Sequence, residues 1–452
     1  MIAYGTWCLI GFLGFYALLK LGVVFTNTAL NSVGLLNVLL SPLSEEEKLE
    51  LLPKGTLSLV TSLLSAVGVL VLVGAFSFAA WYVMDMWLAF PPVNNTWAIL
   101  AYSLGASVPF FLPKKQVGAY SSMAQLLHRL VLDNYFLHWK MFRREVKRNA
   151  LPVRTDFVIV TGLARAGTTS MLNHLQKLQP FASLSYANMP LLLAPNTWAK
   201  LYNPKNTTEK ERSHGDGIAI GLNSTEALEE YFFKAVKNDS FIADSSLHTH
   251  QIAEEEYANY LDYQALVRKG SDQKYLAKNN NFLLRYASVR ALNPDFTAVI
   301  MFRHPLYHAK SLMAQHKSFT AMQDDDPFVL RYMNWLGHHE FGQGHKPFQF
   351  EQGFEGRSLN PMELNYWLHI WINYYTAAAA INDAKTLFVS YKDFCETPTA
   401  VIQQVLDTAR VDVQAPVLEG HVNSRVANDE VDPELLERAQ ALYQKLVEKA
   451  SR

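Results

Sequence analysis

The 452-residue sequence predicts an α/β fold, a P-loop-like parallel sheet with helices on both faces, preceded by an N-terminal transmembrane helical region. Three observations support this prediction. Long uncharged stretches occur near the N-terminus, short apolar stretches later in the chain each precede a helical pattern, and one of them ends in a glycine-rich turn. We divide the chain into a transmembrane region at 1–113, a juxtamembrane connector at 114–150 and a large domain at 151–452.

The first 113 residues contain uncharged stretches long enough to cross a bilayer. Residues 55–84 and residues 86–113 have no charged side chain, and residues 1–44 have only Lys20. A membrane-spanning helix needs about 20 apolar residues. We therefore predict about three transmembrane helices, near 4–26, 57–81 and 96–112. A buried hairpin in a soluble protein is the alternative interpretation.

Basic residues predict which side of the membrane holds the large domain. Eight Lys or Arg residues follow the third predicted span within 114–148, and the loop between the second and third predicted spans has none. Since cytoplasmic flanks are enriched in Lys and Arg, we expect an integral protein of the inner or plasma membrane with a cytoplasmic large domain. This orientation requires all three predicted spans to cross. Only Cys8 and Cys395 are present, which also fits a reducing compartment.

The connector at 114–150 mixes apolar and basic residues with helical spacing, as in MAQLLHRLVLDNYFLHWKMFRREVKR. Basic amphipathic helices bind the surface of anionic membranes. We predict such a helix on the inner membrane surface. A helix that packs on its own domain is an equal alternative.

Three short apolar stretches in the large domain predict buried parallel strands. They are DFVIVTG at 156–162, FTAVIMF at 296–302 and TLFVSY at 386–391. Each precedes residues with helical spacing, and such alternation is typical of a parallel sheet covered on both faces. A final helix is predicted at 432–447, where Asp432 is placed to cap the helix and Pro433 to begin its first turn.

The turn after the first predicted strand, GLARAGTTSML, is typical of a phosphate-binding loop. Gly162 and Gly167 have the spacing of a nucleoside-triphosphatase loop, but Thr168 stands where that loop has a lysine. Backbone N–H groups at such a turn bind an anion. Thr168 and Thr169 add hydroxyl donors, and Arg165 supplies the positive charge. The missing lysine argues against a triphosphate ligand.

A second pattern follows the second predicted strand, in FRHPLYHAKS. Arg303 lies at the carboxyl end of that strand, where open α/β sheets bind ligands. Pro305 is well placed to begin the next helix, and Ser311 lies about two turns into it. The two patterns together therefore predict one ligand-binding edge of the sheet.

Both patterns resemble those of the sulfotransferases that use 3′-phosphoadenosine 5′-phosphosulfate (PAPS). Four residues match the family's 5′-phosphosulfate loop: Arg165, Gly167, Thr168 and Thr169. Ala164 and Ala166 stand in place of its usual proline and small hydroxyl residue, and we expect Ala166→Ser to keep or raise the affinity for PAPS. The resemblance covers about 152–448 and none of the membrane region.

The resemblance implies sulfuryl transfer from PAPS to a hydroxyl or amine of an acceptor. The product nucleotide would be 3′-phosphoadenosine 5′-phosphate (PAP), and no metal would be required. It also implies that Arg303 and Ser311 bind the 3′-phosphate, with Arg425 as a further contact. Lys278 would contact the bridging oxygen or the 5′-phosphate.

The reaction also needs a general base, usually His or Glu in the family. Our first candidate is His214 in RSHGDG, where the neighbouring glycines let the backbone come close. The second is Glu230 in EALEEYF. For each of them, the alternative is a solvated polar side chain without a catalytic role.

The segment 316–362 is rich in glycine, histidine and aromatic residues and is predicted to form a lid over the acceptor. Its histidines, His338, His339 and His345, are candidate metal ligands by residue type. Because no second cluster with ligand spacing accompanies them, we predict no metal site.

The membrane region and the short connector would hold the site near the lipid bilayer. We therefore expect the acceptor to be a lipid or a lipid-linked glycan. A formal net charge of −1 gives no indication of nucleic acid binding. Two other interpretations are a phosphotransferase or nucleoside triphosphatase with an altered P-loop, and a membrane scaffold with an inactive fold. No pattern in the sequence predicts an oligomeric state.

Overall fold

The computed structural model of the protein describes residues 2–40, 44–88, 95–111, 122–149, 151–201, 210–211, 219–220, 227–351, 353–421 and 431–451. The chain divides into two compact units, Met1–Leu137 and His138–Arg452. The first unit is helical, and the second contains the parallel sheet.

The first unit is built from helices, most of them long and apolar. They are α1 (Ile2–Lys20), α2 (Gly22–Leu40), α3 (Glu45–Leu88), α4 (Thr96–Phe111) and α5 (Ser122–Leu132). Three of them contain windows that are long and apolar enough to cross a membrane: Ala3–Lys20, Gly22–Leu39 and Glu45–Met86.

These windows differ from the predicted spans in their placement. Gly22–Leu39 was not among the predicted spans, because its Asn, Ser and Thr side chains dilute the apolar signal. The predicted span at 96–112 corresponds to α4, which has only 16 residues and is shorter than a bilayer crossing requires. The orientation expected above depended on that third span and therefore does not follow from the described helices.

Close helix contacts stabilise the first unit. A Cβ on Gly105 of α4 would lie only 1.7 Å from the carbonyl oxygen of Cys8 in α1, so the two backbones touch at this point. Small residues allow such close approach between helices in membranes. Between α2 and α3, Asn31 donates its side-chain amide to the carbonyl oxygen of Ser58 at 3.1 Å.

The second unit is organised around five parallel strands in the order β2-β6-β1-β7-β9. Its described strands are β1 (Val158–Thr161), β2 (Phe181–Ala182), β3 (Lys210–Glu211), β4 (Ala219–Ile220), β5 (Leu247–His248), β6 (Lys274–Lys278), β7 (Thr297–Phe302), β8 (Phe348–Gln349) and β9 (Thr386–Ser390). Two small sheets, β3-β4 and β5-β8, complete the set. The three predicted strands are confirmed as β1, β7 and β9. Strand β6 was not predicted, because a lysine at each end interrupts its short apolar stretch.

Helices cover both faces of this sheet, as predicted. They are α7 (Thr168–Leu175), α8 (Pro195–Leu201), α9 (Glu230–Lys237), α10 (Glu254–Val267), α11 (Tyr286–Leu292), α12 (Pro305–Asp325), α13 (Pro327–Trp335), α14 (Leu364–Ala379), α15 (Tyr391–Glu396), α16 (Pro398–Thr408) and α17 (Pro433–Ala450). Side chains alternate along β7. Met301 joins the apolar core formed with α7 and α16, whereas the ring of Phe302 packs against Tyr443 of α17.

The last helix, α17, begins as the sequence predicts. The side chain of Asp432 accepts hydrogen bonds from the backbone N–H groups of Glu434 and Leu435, at 2.9 and 3.2 Å. Pro433 occupies the first turn, where it needs no backbone donor.

From residue 138 onward, helix α6 (Tyr135–Val146) packs within the second unit. Phe142 is buried and its ring contacts that of Phe232, with centroids 6.3 Å apart. The buried carboxylate of Glu145 accepts hydrogen bonds from the backbone N–H groups of residues 196 and 197. These are the contacts of a helix that packs on its own domain, one of the two interpretations of the connector.

Candidate active site

In the loop between β1 and α7, which we call the phosphate loop, three residues have positive φ angles that turn the backbone tightly. Gly162 has φ +144°, and a Cβ there would lie 2.5 Å from the carbonyl oxygen of Met301. Gly167 has φ +96°, and a Cβ there would lie 2.6 Å from the ring of Tyr391. Arg165 also has a positive φ, +71°, which costs a residue other than glycine some strain. The two glycines are therefore required by both torsion and space.

Helix α12 holds this loop at two points. The buried His308 donates from Nε2 to the carbonyl oxygen of Ala164 at 2.7 Å. Arg165 donates from Nε to the hydroxyl oxygen of Ser311 at 3.3 Å. Arg165 and Ser311, which the sequence assigned to the two ends of one nucleotide, are therefore neighbours.

Strand β6 adds a cation from the other side of β1. Lys278 is the last residue of β6, and its ammonium group donates to the hydroxyl oxygen of Thr169 at 2.8 Å. The side chain is buried, with a relative exposure of 7 %. Burial keeps the lysine stem fixed, so the charge is directed at the start of α7.

Arg303 directly follows β7 and is oriented by two aromatic residues. Its carbonyl oxygen accepts a hydrogen bond from the indole of Trp371 at 3.1 Å. Its guanidinium carbon lies 4.9 Å from the ring centroid of Tyr391, within cation–π distance. Tyr391 thus lies against both Gly167 of the loop and Arg303.

A cavity of about 380 Å³ opens over the carboxyl ends of β1, β6 and β7. Its lining includes three cations and three hydroxyl residues: Arg165, Lys278, Arg303, Thr168, Thr169 and Ser170. Parallel strands bring their carboxyl ends to one edge, where α/β sheets bind ligands. Cations, hydroxyls and a helix N-terminus at one edge form a site for a polyanion.

A family model described as "Sulfotransferase family" matches residues 157–415, which is more than half of the chain and includes all three cavity cations. The chain belongs to the sulfotransferase family.

Solved sulfotransferase structures are similar to this sulfotransferase at low identity. One from Mycobacterium tuberculosis H37Rv is 14% identical, over 75% of this chain and 88% of that chain, with a TM-score of 0.37. One from Mycobacterium avium is 12% identical, over 78% and 83%, with a TM-score of 0.35. One from Alicyclobacillus acidocaldarius is 13% identical, over 66% and 95%, with a TM-score of 0.31. No curated protein sequence matches the chain.

Glu230, the second candidate for the base, lies in a buried ion pair of the sulfotransferase. Its two carboxylate oxygens each accept a hydrogen bond from the guanidinium of Arg285 at 2.7 Å, and one also accepts from Asn279. The two charged side chains are 2 % and 0 % exposed. Glu230 is not among the described residues that line the cavity, so its contacts are those of a structural charge.

Two other predicted residues, His214 and Arg425, lie outside the described residues. The remaining predicted residues come together. Gly167, Thr168, Thr169, Arg165, Lys278 and Arg303 line the cavity, and Ser311 contacts Arg165 beside it.

Three side chains that can accept a proton line the cavity and were not identified as such from the sequence: His338, Glu340 and His421. Nε2 of His338 donates to the carbonyl oxygen of Ala227 at 3.0 Å, which leaves Nδ1 as the acceptor nitrogen. Burial lowers the pKa of His338, the negative charge of Glu340 acts to raise it, and the charge of Lys278 acts to lower it. The imidazole is thus neutral near neutral pH and able to accept a proton.

The strand end after Lys278 positions these groups. Asn280 donates its side-chain amide to Glu340 at 2.8 Å, and Asn281 donates to the carbonyl oxygen of Gly337 at 3.0 Å. The sequence signal for this arrangement is the run of three asparagines at 279–281, because side-chain amides can form hydrogen bonds between separate segments of the chain. Asn280 and Asn281 thus connect the end of β6 to the loop after α13.

The segment predicted as an acceptor lid, 316–362, is largely folded into the end of α12, into α13 and into the loop after it. It contributes five residues to the cavity: Phe319, Met333, His338, Glu340 and Phe341. The other two histidines of this segment, His339 and His345, bond elsewhere. His339 bonds the carbonyl oxygen of Gly344, and His345 bonds the hydroxyl of Tyr366.

Proposed function

We propose that this sulfotransferase transfers a sulfuryl group from PAPS to a hydroxyl, or an amine, of an acceptor near the membrane, a lipid or a lipid-linked glycan. The observation that carries the proposal is the convergence of Arg165, Lys278 and Arg303 on one cavity at the carboxyl edge of the sheet. Three cations suit a ligand with two separate anionic groups.

The donor groups fit such a nucleotide. Arg165, Thr168, Thr169 and the N-terminus of α7 would hold the 5′-phosphate, with Lys278 beside them. Arg303 and Ser311 would hold the 3′-phosphate. PAPS, when bound, supplies an activated sulfuryl group on a phosphate leaving group. Arg165 and Lys278 would stabilise the negative charge that grows on the leaving phosphate oxygen.

His338 is the proposed general base. The new O–S bond would form as the acceptor O–H bond breaks and Nδ1 of His338 takes the proton. The bond between sulfur and the 5′-phosphate oxygen would break in the same transfer, and PAP would leave with that electron pair. Glu340 carries a negative charge close to the imidazole and would stabilise the imidazolium that results. Asn280 would keep Glu340 in place through its hydrogen bond. The neutral imidazole at pH 7 is the form that this step requires.

The acceptor class is proposed from the N-terminal region. Three candidate membrane spans precede the sulfotransferase domain in the same chain, so the enzyme would work at a bilayer. Membrane attachment favours an acceptor that is itself held in the bilayer, because confinement to one surface raises its effective concentration. We further propose that the domain faces the cytoplasm, because the excess of Lys and Arg within 114–148 favours that side for the segment before the domain.

The direct test is transfer of labelled sulfate from PAPS to a membrane extract by the purified full-length protein. Wild type should label a product, and Arg165→Ala should reduce labelling by about a hundredfold or more, since losing one charged contact to a transition state costs roughly 2.7–4 kcal/mol. Arg438→Ala, at an exposed ion pair with Glu355, is the matched control and should retain full activity.

A second measurement distinguishes the nucleotide. PAP should raise the thermal midpoint of unfolding without Mg²⁺, whereas ATP with Mg²⁺ should not. Stabilisation by ATP with Mg²⁺ alone would contradict the proposal and support a phosphotransferase. Equal labelling by wild type and Arg165→Ala would also contradict it.

A further inference from the structure

One wall of the cavity is apolar. Phe319 from α12, Met333 from α13 and Phe341 from the following loop line it. The rings of Phe319 and Phe341 are stacked, parallel within 4° and with centroids 6.0 Å apart, so the two side chains contact each other in this wall. These three side chains offer only carbon and sulfur atoms to a ligand.

We call Phe319, Met333 and Phe341 the aromatic wall. Neighbouring residues hold this wall in place. The ring of Phe341 packs on Trp367, with centroids 6.0 Å apart. The next residue, Gly342, donates its backbone N–H to Nδ1 of the buried His316 at 3.1 Å. The sulfur of Met333 accepts a hydrogen bond from the buried Gln323 at 3.2 Å. A wall held in this way exists before any acceptor binds, so binding pays little to order it.

The proton acceptor and the cations lie in the same cavity as this wall. The reacting hydroxyl must lie between His338 and the sulfuryl group near Lys278, so the body of the acceptor extends toward the remaining lining. A sugar ring would place only its C–H face on Phe319, Met333 and Phe341, and the hydroxyl groups at its edge would find no hydrogen-bond partner at these side chains. An apolar acceptor body would instead remove its own surface and the surface of these three side chains from water.

We infer that the reacting hydroxyl is carried on an apolar body, an aliphatic or aromatic alcohol, which packs against Phe319, Met333 and Phe341. The inference rests on the proposed function and narrows it: among membrane acceptors, it favours a hydroxyl on the lipid part over one on a glycan. The aromatic wall is the specificity-determining part of the cavity.

The test uses the full-length protein in lipid nanodiscs, labelled PAPS and straight-chain primary alcohols from propanol to octanol. kcat/KM should rise up to about fourfold per added methylene until the cavity is filled, which corresponds to burial of one methylene. Methyl glucoside, which has several hydroxyls and no apolar tail, should be labelled far less.

Variants separate packing in the cavity from partition of the alcohols into the bilayer. Partition is the same for every variant, so only the cavity changes the slope of kcat/KM with chain length. Phe319→Ala and Phe341→Ala should flatten the slope, and Phe341→Leu should keep most of it. Phe350→Ala is the matched control, because Phe350 is as buried as Phe341, at 6 % exposure, and does not line the cavity.

The outcomes are distinct. An unchanged slope in both alanine variants, or preferential labelling of methyl glucoside, would overturn the inference and leave sulfuryl transfer intact. If no acceptor is labelled and PAP does not raise the thermal midpoint, the proposed function fails and the inference fails with it. A slope that Phe350→Ala flattens equally would also overturn the inference, since the effect would then come from general loss of packing.

Discussion

His308 donates its Nε2–H to the carbonyl oxygen of Ala164 at 2.7 Å and thereby ties helix α12 to the phosphate loop. The loop carries Arg165, and α12 begins two residues after Arg303. One buried histidine therefore connects the two segments that we assign to the two ends of the nucleotide. Because the acceptor is a carbonyl, the proton must reside on Nε2.

His308→Leu should weaken PAP binding, because the carbonyl of Ala164 loses its donor and the loop loses its tie to α12. A buried hydrogen bond contributes roughly 0.5–1.5 kcal/mol, so the dissociation constant should rise about two- to tenfold. His308→Gln places an amide N–H near the former Nε2 and should restore most of the affinity. Calorimetric titration with PAP measures both. Equal losses in the two variants would exclude the hydrogen bond as the cause.

Acid should destabilise the sulfotransferase domain through its buried histidines. Burial lowers the pKa of His138 and of His308 to about 3, against about 6.5 in an unfolded chain. The unfolded state therefore binds more protons below pH 6.5, and stability falls as the pH drops from 6.5 toward 3. At pH 5.5 each group costs about 1.4 kcal/mol. The thermal midpoint should fall from pH 7.5 to 5.5, and less so in His308→Gln; equal falls would contradict this.

His338→Gln should lower kcat and leave PAP affinity unchanged, since it removes the proposed base and no nucleotide contact. General bases typically contribute 10²–10⁴-fold, so a loss of about that size is expected. Burial lowers the pKa of His338, which places the acid limb of kcat/KM below pH 6.5 in the wild type. That limb should disappear in His338→Gln.

Glu340→Gln should move the same acid limb to still lower pH. The carboxylate acts to raise the pKa of His338, so its removal lowers that pKa further. The charges that remain are Lys278, which lowers the pKa, and Glu230, which raises it. A limb that stays in place in Glu340→Gln would mean that another group is the base. Asn280→Ala should also move the acid limb of kcat/KM to lower pH, if the side chain of Asn280 acts only by holding Glu340 in place.

The parts of the fold that the sequence predicted are those with local signals. β1 and β7 are continuous apolar stretches that end in a glycine or an arginine, so the strand and the ligand-binding edge are visible within ten residues. The loop glycines follow from the same local geometry. For this reason Arg165, Thr168, Thr169 and Arg303 were found without knowledge of the tertiary structure.

The proposed base, His338, could not be predicted because its environment is not local. Glu340 is oriented by Asn280, 60 residues earlier in the chain, and nothing in the stretch GHHEF reveals that contact. The ion pair of Glu230 is hidden from the sequence for the same reason. Its partner Arg285 lies 55 residues later, so the sequence shows an acidic residue on a helix and hides the ion pair. Tertiary partners decide whether a charged residue is catalytic or structural.

Glu230→Gln should destabilise the domain and should not remove the chemical step. The change leaves the guanidinium of Arg285 buried without its counter-charge, which typically costs 3–5 kcal/mol. The thermal midpoint should therefore fall by several degrees, while kcat per folded molecule stays near the wild-type value. A loss of kcat as large as that of His338→Gln, in folded protein, would restore Glu230 as a catalytic candidate.

Ala166→Ser tests the departure of the phosphate loop from its relatives, and the fold revises the expectation that it keeps or raises PAPS affinity. Ala166 is fully buried, and its methyl group belongs to the apolar core with Met171 and Val299. A hydroxyl there would enter the core and not the cavity. Burial of an unpaired hydroxyl costs roughly 1–3 kcal/mol, so the thermal midpoint should fall and PAP affinity should not improve. A rise in PAP affinity, measured by calorimetry, would show that the side chain at 166 reaches the phosphate.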